Sequence, residues 1–89
     1  ISIASVAGSA PTVDADLAAR VQQDPAAAVA EAASFVSRAE ALQDARVLGR
    51  TLTHHGRGLL LTGQVDQARK VLDRAVAVLR PAGDARDLA

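Results

Sequence analysis

In every apolar stretch of this chain longer than a single turn, the apolar residues return at three- and four-residue intervals. A chain patterned in this way can bury its apolar surface only on one face of a helix. Val13, Leu17 and Val21 follow Pro11 and Thr12 at four-residue spacing and predict a short helix over about 13–23. Asp24 then offers a carboxylate to the free amides of a new first turn, and Pro25 sits at the first helical position, where its missing N–H costs nothing. The helix that follows runs to about Leu42, with an apolar stripe of Ala28, Ala32, Phe35, Val36, Ala39 and Leu42.

Gln43 and Asp44 break that pattern, and Asp44 caps a third helix over about 45–62 whose inner stripe is Leu48, Leu52, His55, Gly56 and Leu59. Gly63 ends it in the residue type that most readily takes a left-handed C-cap. A fourth helix over about 65–80 carries Val65, Ala68, Leu72, Ala75, Val76 and Leu79 on its inner face and Asp66 near its positive end. Pro81 and Gly83 predict a stop there, and Asp84 predicts the cap of a fifth helix with room only for its first turn.

Composition narrows the class. Hydrophobic residues make up 49% of the chain with one aromatic, Phe35, and they are mostly Ala, Val and Leu, which suits close-packed helices. At 89 residues there is room for one small domain of modest stability. Ten basic and ten acidic residues give no net charge, so no global field draws the chain to nucleic acid or an anionic membrane. No run approaches the ~20 apolar residues needed to span a bilayer. Without cysteine there is no disulfide and no thiolate chemistry, which fits a reducing cytoplasm. Nine of the ten basic residues are Arg, a bias expected of a GC-rich bacterial genome. The uncharged, small-residue stretch 1–11 reads as a flexible linker or expression remnant.

At an offset of forty residues, the segment from Gln43 to Leu48 aligns with that from Gly83 to Leu88, and Ala28 and Val36 align with Ala68 and Val76. A repeating helix-turn-helix unit is therefore expected. The unit from Gly49 to Pro81 resembles the tetratricopeptide repeat (TPR), with its alternation of small and large residues met by Leu52, Gly56, Leu59, Gly63, Val65, Ala68, Leu72, Ala75 and Pro81. It departs from that pattern in having aliphatic residues at the aromatic positions and His55 where leucine is usual. The phrasing from Asp24 to Ala28, from Asp44 to Arg50 and from Gly63 to Ala68 is similar to TPR segments of large actinobacterial regulatory proteins, where they accompany caspase-like CHAT protease or nucleotide-switch ATPase domains. The resemblance implies an all-α fold of antiparallel hairpins stacked as a short right-handed solenoid fragment. Its repeats would span about 12–43 and 44–83 within a domain over 12–89, with a third beginning at 84–89.

Catalytic chemistry has few footholds. His54 and His55 are adjacent, and neighbouring helical residues diverge by about 100°, so the two rings cannot readily share a metal or a proton. Gly56-Arg57-Gly58 lies inside a helix without the strand that a phosphate loop requires. Gly56 is explained by helix contact, whereas nothing in the pattern explains Gly58. No catalytic, cofactor or metal site is expected, and the chain reads as a non-enzyme.

The candidate site is a polar stripe on the third helix, where Arg46, Arg50, Thr53, His54 and Arg57 recur at i, i+4, i+7, i+8 and i+11. The first helix of each TPR lines the concave groove, so the resemblance places Arg50, Thr53, Arg57 and Leu60 there. Arginines in such a groove can hold a carboxylate through paired N–H donors, which implies an acidic or C-terminal peptide segment as partner. The bland alternative is a solvated face. The expected function is a protein-interaction or regulatory scaffold; its rivals are a self-association module joined through an exposed terminal helix face, and a non-catalytic fragment of a larger signalling enzyme.

Overall fold

A computed structural model describes residues 13–88 of the chain as four helices. They are α1 (Val13–Gln23), α2 (Pro25–Ala41), α3 (Ala45–Leu61) and α4 (Val65–Leu88), and no strand occurs among the described residues. The stretch 1–11 lies outside the described residues, as does Ala89.

The predicted punctuation sets the helix ends. The Asp24 carboxylate accepts from the Ala27 N–H at 3.1 Å, with Pro25 in the first turn of α2. Asp44 accepts from the N–H groups of Arg46 and Val47 at 3.0 and 3.4 Å, opening α3. At the far end of α3, Gly63 takes φ +82°. The Gln64 N–H then reaches back to the Leu59 carbonyl at 2.8 Å, and the Gly63 N–H reaches the Leu60 carbonyl at 3.1 Å. This pair of bonds is the Schellman closure of a helix, and it needs a residue that tolerates the left-handed region. Between α2 and α3, Gln43 enters the left-handed region at φ 54° without the freedom of glycine, and its N–H reaches the Glu40 carbonyl at 3.1 Å.

One stop is overridden. α4 is continuous past Pro81 and Gly83 to Leu88, where the sequence predicts an end and a new helix from Asp84. A proline withholds one N–H from the helical ladder and crowds the carbonyl four residues back. That loss is confined to about one turn, so it does not by itself end a helix of 24 residues.

α3 is the pivot of the packing. It contacts α1, α2 and α4, and α1 also packs on α2, whereas among the described helices α4 packs its backbone against α3 alone. One apolar cluster joins Val13, Leu17 and Val21 of α1 to Ala28, Phe35 and Ala39 of α2, with Val47 and Leu48 of α3 against it. Leu17, Leu52 and Leu59 are the largest fully buried apolar side chains, each contributing about 1.5–3 kcal/mol of burial. Towards α4 the seam is made of small residues. Gly49 and Gly56 stand opposite Leu79 and Leu72, and Ala68 and Ala75 are buried.

The stripes are narrower than the periodicity implies. Leu42 is 56% exposed, and Val65 and Val76 are about half exposed, so these three are not inner-face residues. They sit at the margins of their stripes, where no described helix reaches over them. Val71 and Val78, outside the expected stripe, are half-buried on α4 alongside Leu72 and Leu79. Of the forty-residue pairings, Ala28 and Ala68 are both buried, whereas Val36 is half-buried and Val76 exposed. Gly58 also has a packing reason after all, because a Cβ there would lie 3.2 Å from Val29 and 3.5 Å from Val21. It lets α3 settle onto the turn between α1 and α2.

Among the described residues two exposed ion pairs link helices: Arg20 to Glu31 at 2.6 Å joins α1 to α2, and Arg74 to Glu40 at 2.7 Å joins α4 to α2. Exposed pairs of this kind contribute little to stability. No helix among the described residues is long and apolar enough to cross a membrane.

Candidate partner-binding groove

Arg46, Arg50, Thr53, His54 and Arg57 all project from the outer face of α3, as their spacing requires. Their environments differ. Arg46, Arg50, Thr53 and Arg57 are exposed, and among the described residues none of the three guanidiniums forms an ion pair. Thr53 donates its hydroxyl to the Gly49 carbonyl at 2.8 Å, a local bond that satisfies it within its own helix. His54 is half-buried.

The five are divided by the fold. A groove of about 510 Å³ runs between α1 and α3, and from the stripe only His54 and Arg57 line it. The α1 wall is Ala15, Ala18, Ala19, Val21 and Gln22, and Pro25 and Leu61 complete the surround. Arg46, Arg50 and Thr53 stand on the exposed surface of the same helix, outside these walls. Leu60, placed in the groove by the TPR resemblance, is exposed and also outside them, while its neighbour Leu61 is in the wall. The alanines of α1 explain the opening: with only a methyl group at three of its wall positions, α1 leaves space beside α3 that larger side chains would fill.

Asp14 is the residue that sequence reasoning missed. It is 8% exposed, and one carboxylate oxygen is buried without a hydrogen-bond partner. A carboxylate in the first turn of a helix is favoured by the helix dipole, which is the only signal the sequence carries for it. Asp14 lies near enough to α3 for its charge to act on His54. Burial holds the His54 imidazole below its ordinary pKa; the Asp14 carboxylate opposes that shift and the Arg57 guanidinium reinforces it. The groove wall therefore offers a neutral imidazole and a cationic guanidinium near neutral pH.

His55, one residue on, points away from this groove. It lines a second depression between α2 and α4, floored by α3, and burial likewise lowers its pKa. The adjacent histidines thus serve opposite sides of one helix. Among the described residues no three His, Cys, Asp or Glu side chains gather as a metal site would require.

Comparison with protein-family models, curated proteins and solved structures finds no match to this chain.

Proposed function

We propose that the chain is a pair of TPR-like hairpins, α1 with α2 and α3 with α4, acting as a scaffold that holds a segment of another polypeptide in the α1/α3 groove. The observation that carries this reading is the order of neighbours. The first helices of the two hairpins pack side by side, α2 packs on α3, and the groove opens between the two first helices. Stacked hairpins of the solenoid type have this arrangement, and it creates a concave binding surface. His54 and Arg57 give the groove a hydrogen-bonding and cationic wall, which suits an acidic segment or a terminal carboxylate. The scaffold is non-enzymatic in this reading, and a regulatory role in a bacterial cytoplasmic protein accords with the Arg bias and the lack of cysteine.

The test is a peptide array of acidic, basic and apolar sequences, probed with wild type, Arg57→Ala and the Arg46→Ala/Arg50→Ala pair. Acidic peptides should be captured. Arg57→Ala should weaken them about tenfold, a difference of ~1.4 kcal/mol, and the double change much less, as expected for charges at a rim. Capture of basic or purely apolar peptides, or undiminished binding by Arg57→Ala, would refute the groove reading.

A second reading, self-association through α4, is favoured by the exposure of Val65 and Val76 on the helix that, among the described helices, packs its backbone on one neighbour alone. Analytical ultracentrifugation of wild type beside Val76→Lys separates the two, since only self-association would be lost in the variant.

A further inference from the structure

The second depression, on the other side of α3, has a chemistry of its own. Its volume is about 460 Å³, within the range of small-molecule sites. Leu52 and His55 of α3 form the floor; Ala33, Val36 and Ser37 of α2 make one wall, and Lys70, Val71 and Arg74 of α4 the other. Each helix contributes about one turn, roughly 6 Å along its axis, so this is a pit and not a channel. An extended peptide advances ~3.3 Å per residue and would cross it in two residues.

Charge and hydrogen bonding in the pit are unbalanced. Arg74 is committed to Glu40 at 2.7 Å across the α2–α4 gap, whereas Lys70 forms no ion pair among the described residues. The two cations and one carboxylate leave one positive charge beside an apolar floor. His55 adds a donor. Its Nδ1 is buried without a hydrogen-bond partner. In the tautomer protonated at Nε2, the buried Nδ1 is an unpaired acceptor and the other ring nitrogen keeps its proton to donate. The Nε2–H is then the donor left for an occupant of the pit.

The geometry points to a binding site for a small organic monocarboxylate with a short aliphatic body. The body covers Ala33, Val36, Leu52 and Val71, and the carboxylate accepts from the Lys70 ammonium and the His55 Nε2–H. The site is separate from the α1/α3 groove and does not depend on what that groove holds.

Hexanoate is the probe, titrated into the isotope-labelled full chain and followed by amide chemical shifts. Hexanol and hexylamine serve as matched ligands lacking the anion. Hexanoate should give saturable shifts at Val36, Leu52, His55 and Val71, and the alcohol and amine should bind at least tenfold more weakly. Lys70→Gln, at an exposed position, should weaken hexanoate about tenfold with an unchanged melting temperature. Ala33→Trp, also at an exposed wall position, should fill the pit and abolish the shifts.

Absence of saturation, equal binding of all three ligands, or indifference to both substitutions overturns the proposal. So do shifts confined to Ala15, Ala18 and Arg57 in the other groove. A peptide ending in leucine is run in parallel; if it binds at the pit and hexanoate does not, the occupant is a protein terminus and the small-molecule assignment falls.

Discussion

The two sides of α3 are both built on glycine, yet they differ in how much room the glycine leaves. Towards α4, a Cβ built at Gly49 would stand 2.3 Å from Leu79 and one at Gly56 would stand 2.5 Å from Leu72. Gly49 and Gly56 are seven residues apart, as are Leu72 and Leu79, so two leucines of an antiparallel helix seat on two bare patches of backbone. Towards α1 and α2, a Cβ at Gly58 would meet Val29 at 3.2 Å, a contact that is tight but adjustable. The difference teaches that a glycine inside a helix can be a socket or a tolerance. In a socket the helix axis itself is drawn close; in a tolerance the cost of glycine to the helix is recoverable.

The largest expected effect breaks the α4 seam. Ala68 is fully buried, and Ala68→Leu should overpack the hairpin by about 1–3 kcal/mol. Gln67→Leu, one position round the helix and exposed, should be nearly silent. Chemical denaturation of both variants checks this, and equal midpoint losses would mean that α4 is rotated from the orientation described.

The same substitution at three glycines sharpens the comparison. Replacing any of them with Ala improves helix propensity by up to ~1 kcal/mol. At Gly49 and Gly56 the added methyl must displace a leucine, so Gly56→Ala should be destabilising by a net ~1–2 kcal/mol. At Gly58 the propensity gain and the tighter contact nearly cancel, and Gly58→Ala should lie within about 0.5 kcal/mol of wild type. Urea midpoints measured side by side decide it. Should Gly58→Ala prove as damaging as Gly56→Ala, the distinction between socket and tolerance is wrong.

The contrast also explains what could be read from one dimension. Helix ends were legible at Asp24, Asp44 and Gly63 because a cap is a local bargain among a few neighbouring residues. Stripe centres such as Leu17, Ala32 and Leu59 were legible because periodicity finds the direction of a face. Stripe margins were not: Leu42, Val65 and Val76 are apolar and correctly phased, but their burial depends on whether another helix lies over them. Gly58 belongs to the same class, since it acquires its environment from α1, α2 and α3 meeting. At the candidate site the shared face of the five stripe residues was legible. Its division was not, because small alanines of α1 place the groove beside His54 and Arg57 alone.

The smallest expected effect separates the two sides by their histidines. His54 and His55 both have pKa values lowered by burial, below the ordinary imidazole value of about 6.5. Below that value the unfolded chain takes up protons before the folded one does, so stability falls as pH drops from about 6.5 towards the lower folded values, and is fully present above it. The two rings should not share the loss equally. On the α1 side the Asp14 carboxylate favours protonated His54 and partly offsets the burial, although Arg57 works against it. On the α4 side burial acts on His55 with no such carboxylate contribution, and Lys70 and Arg74 line the same pit. His55→Gln should therefore flatten the drop in stability between about pH 7 and 5.5 more than His54→Gln does. Urea midpoints at the two pH values, for wild type and each variant, give the comparison directly. A larger flattening from His54→Gln would show that Asp14 fails to offset burial, and that its unpartnered carboxylate is electrostatically remote from the groove wall.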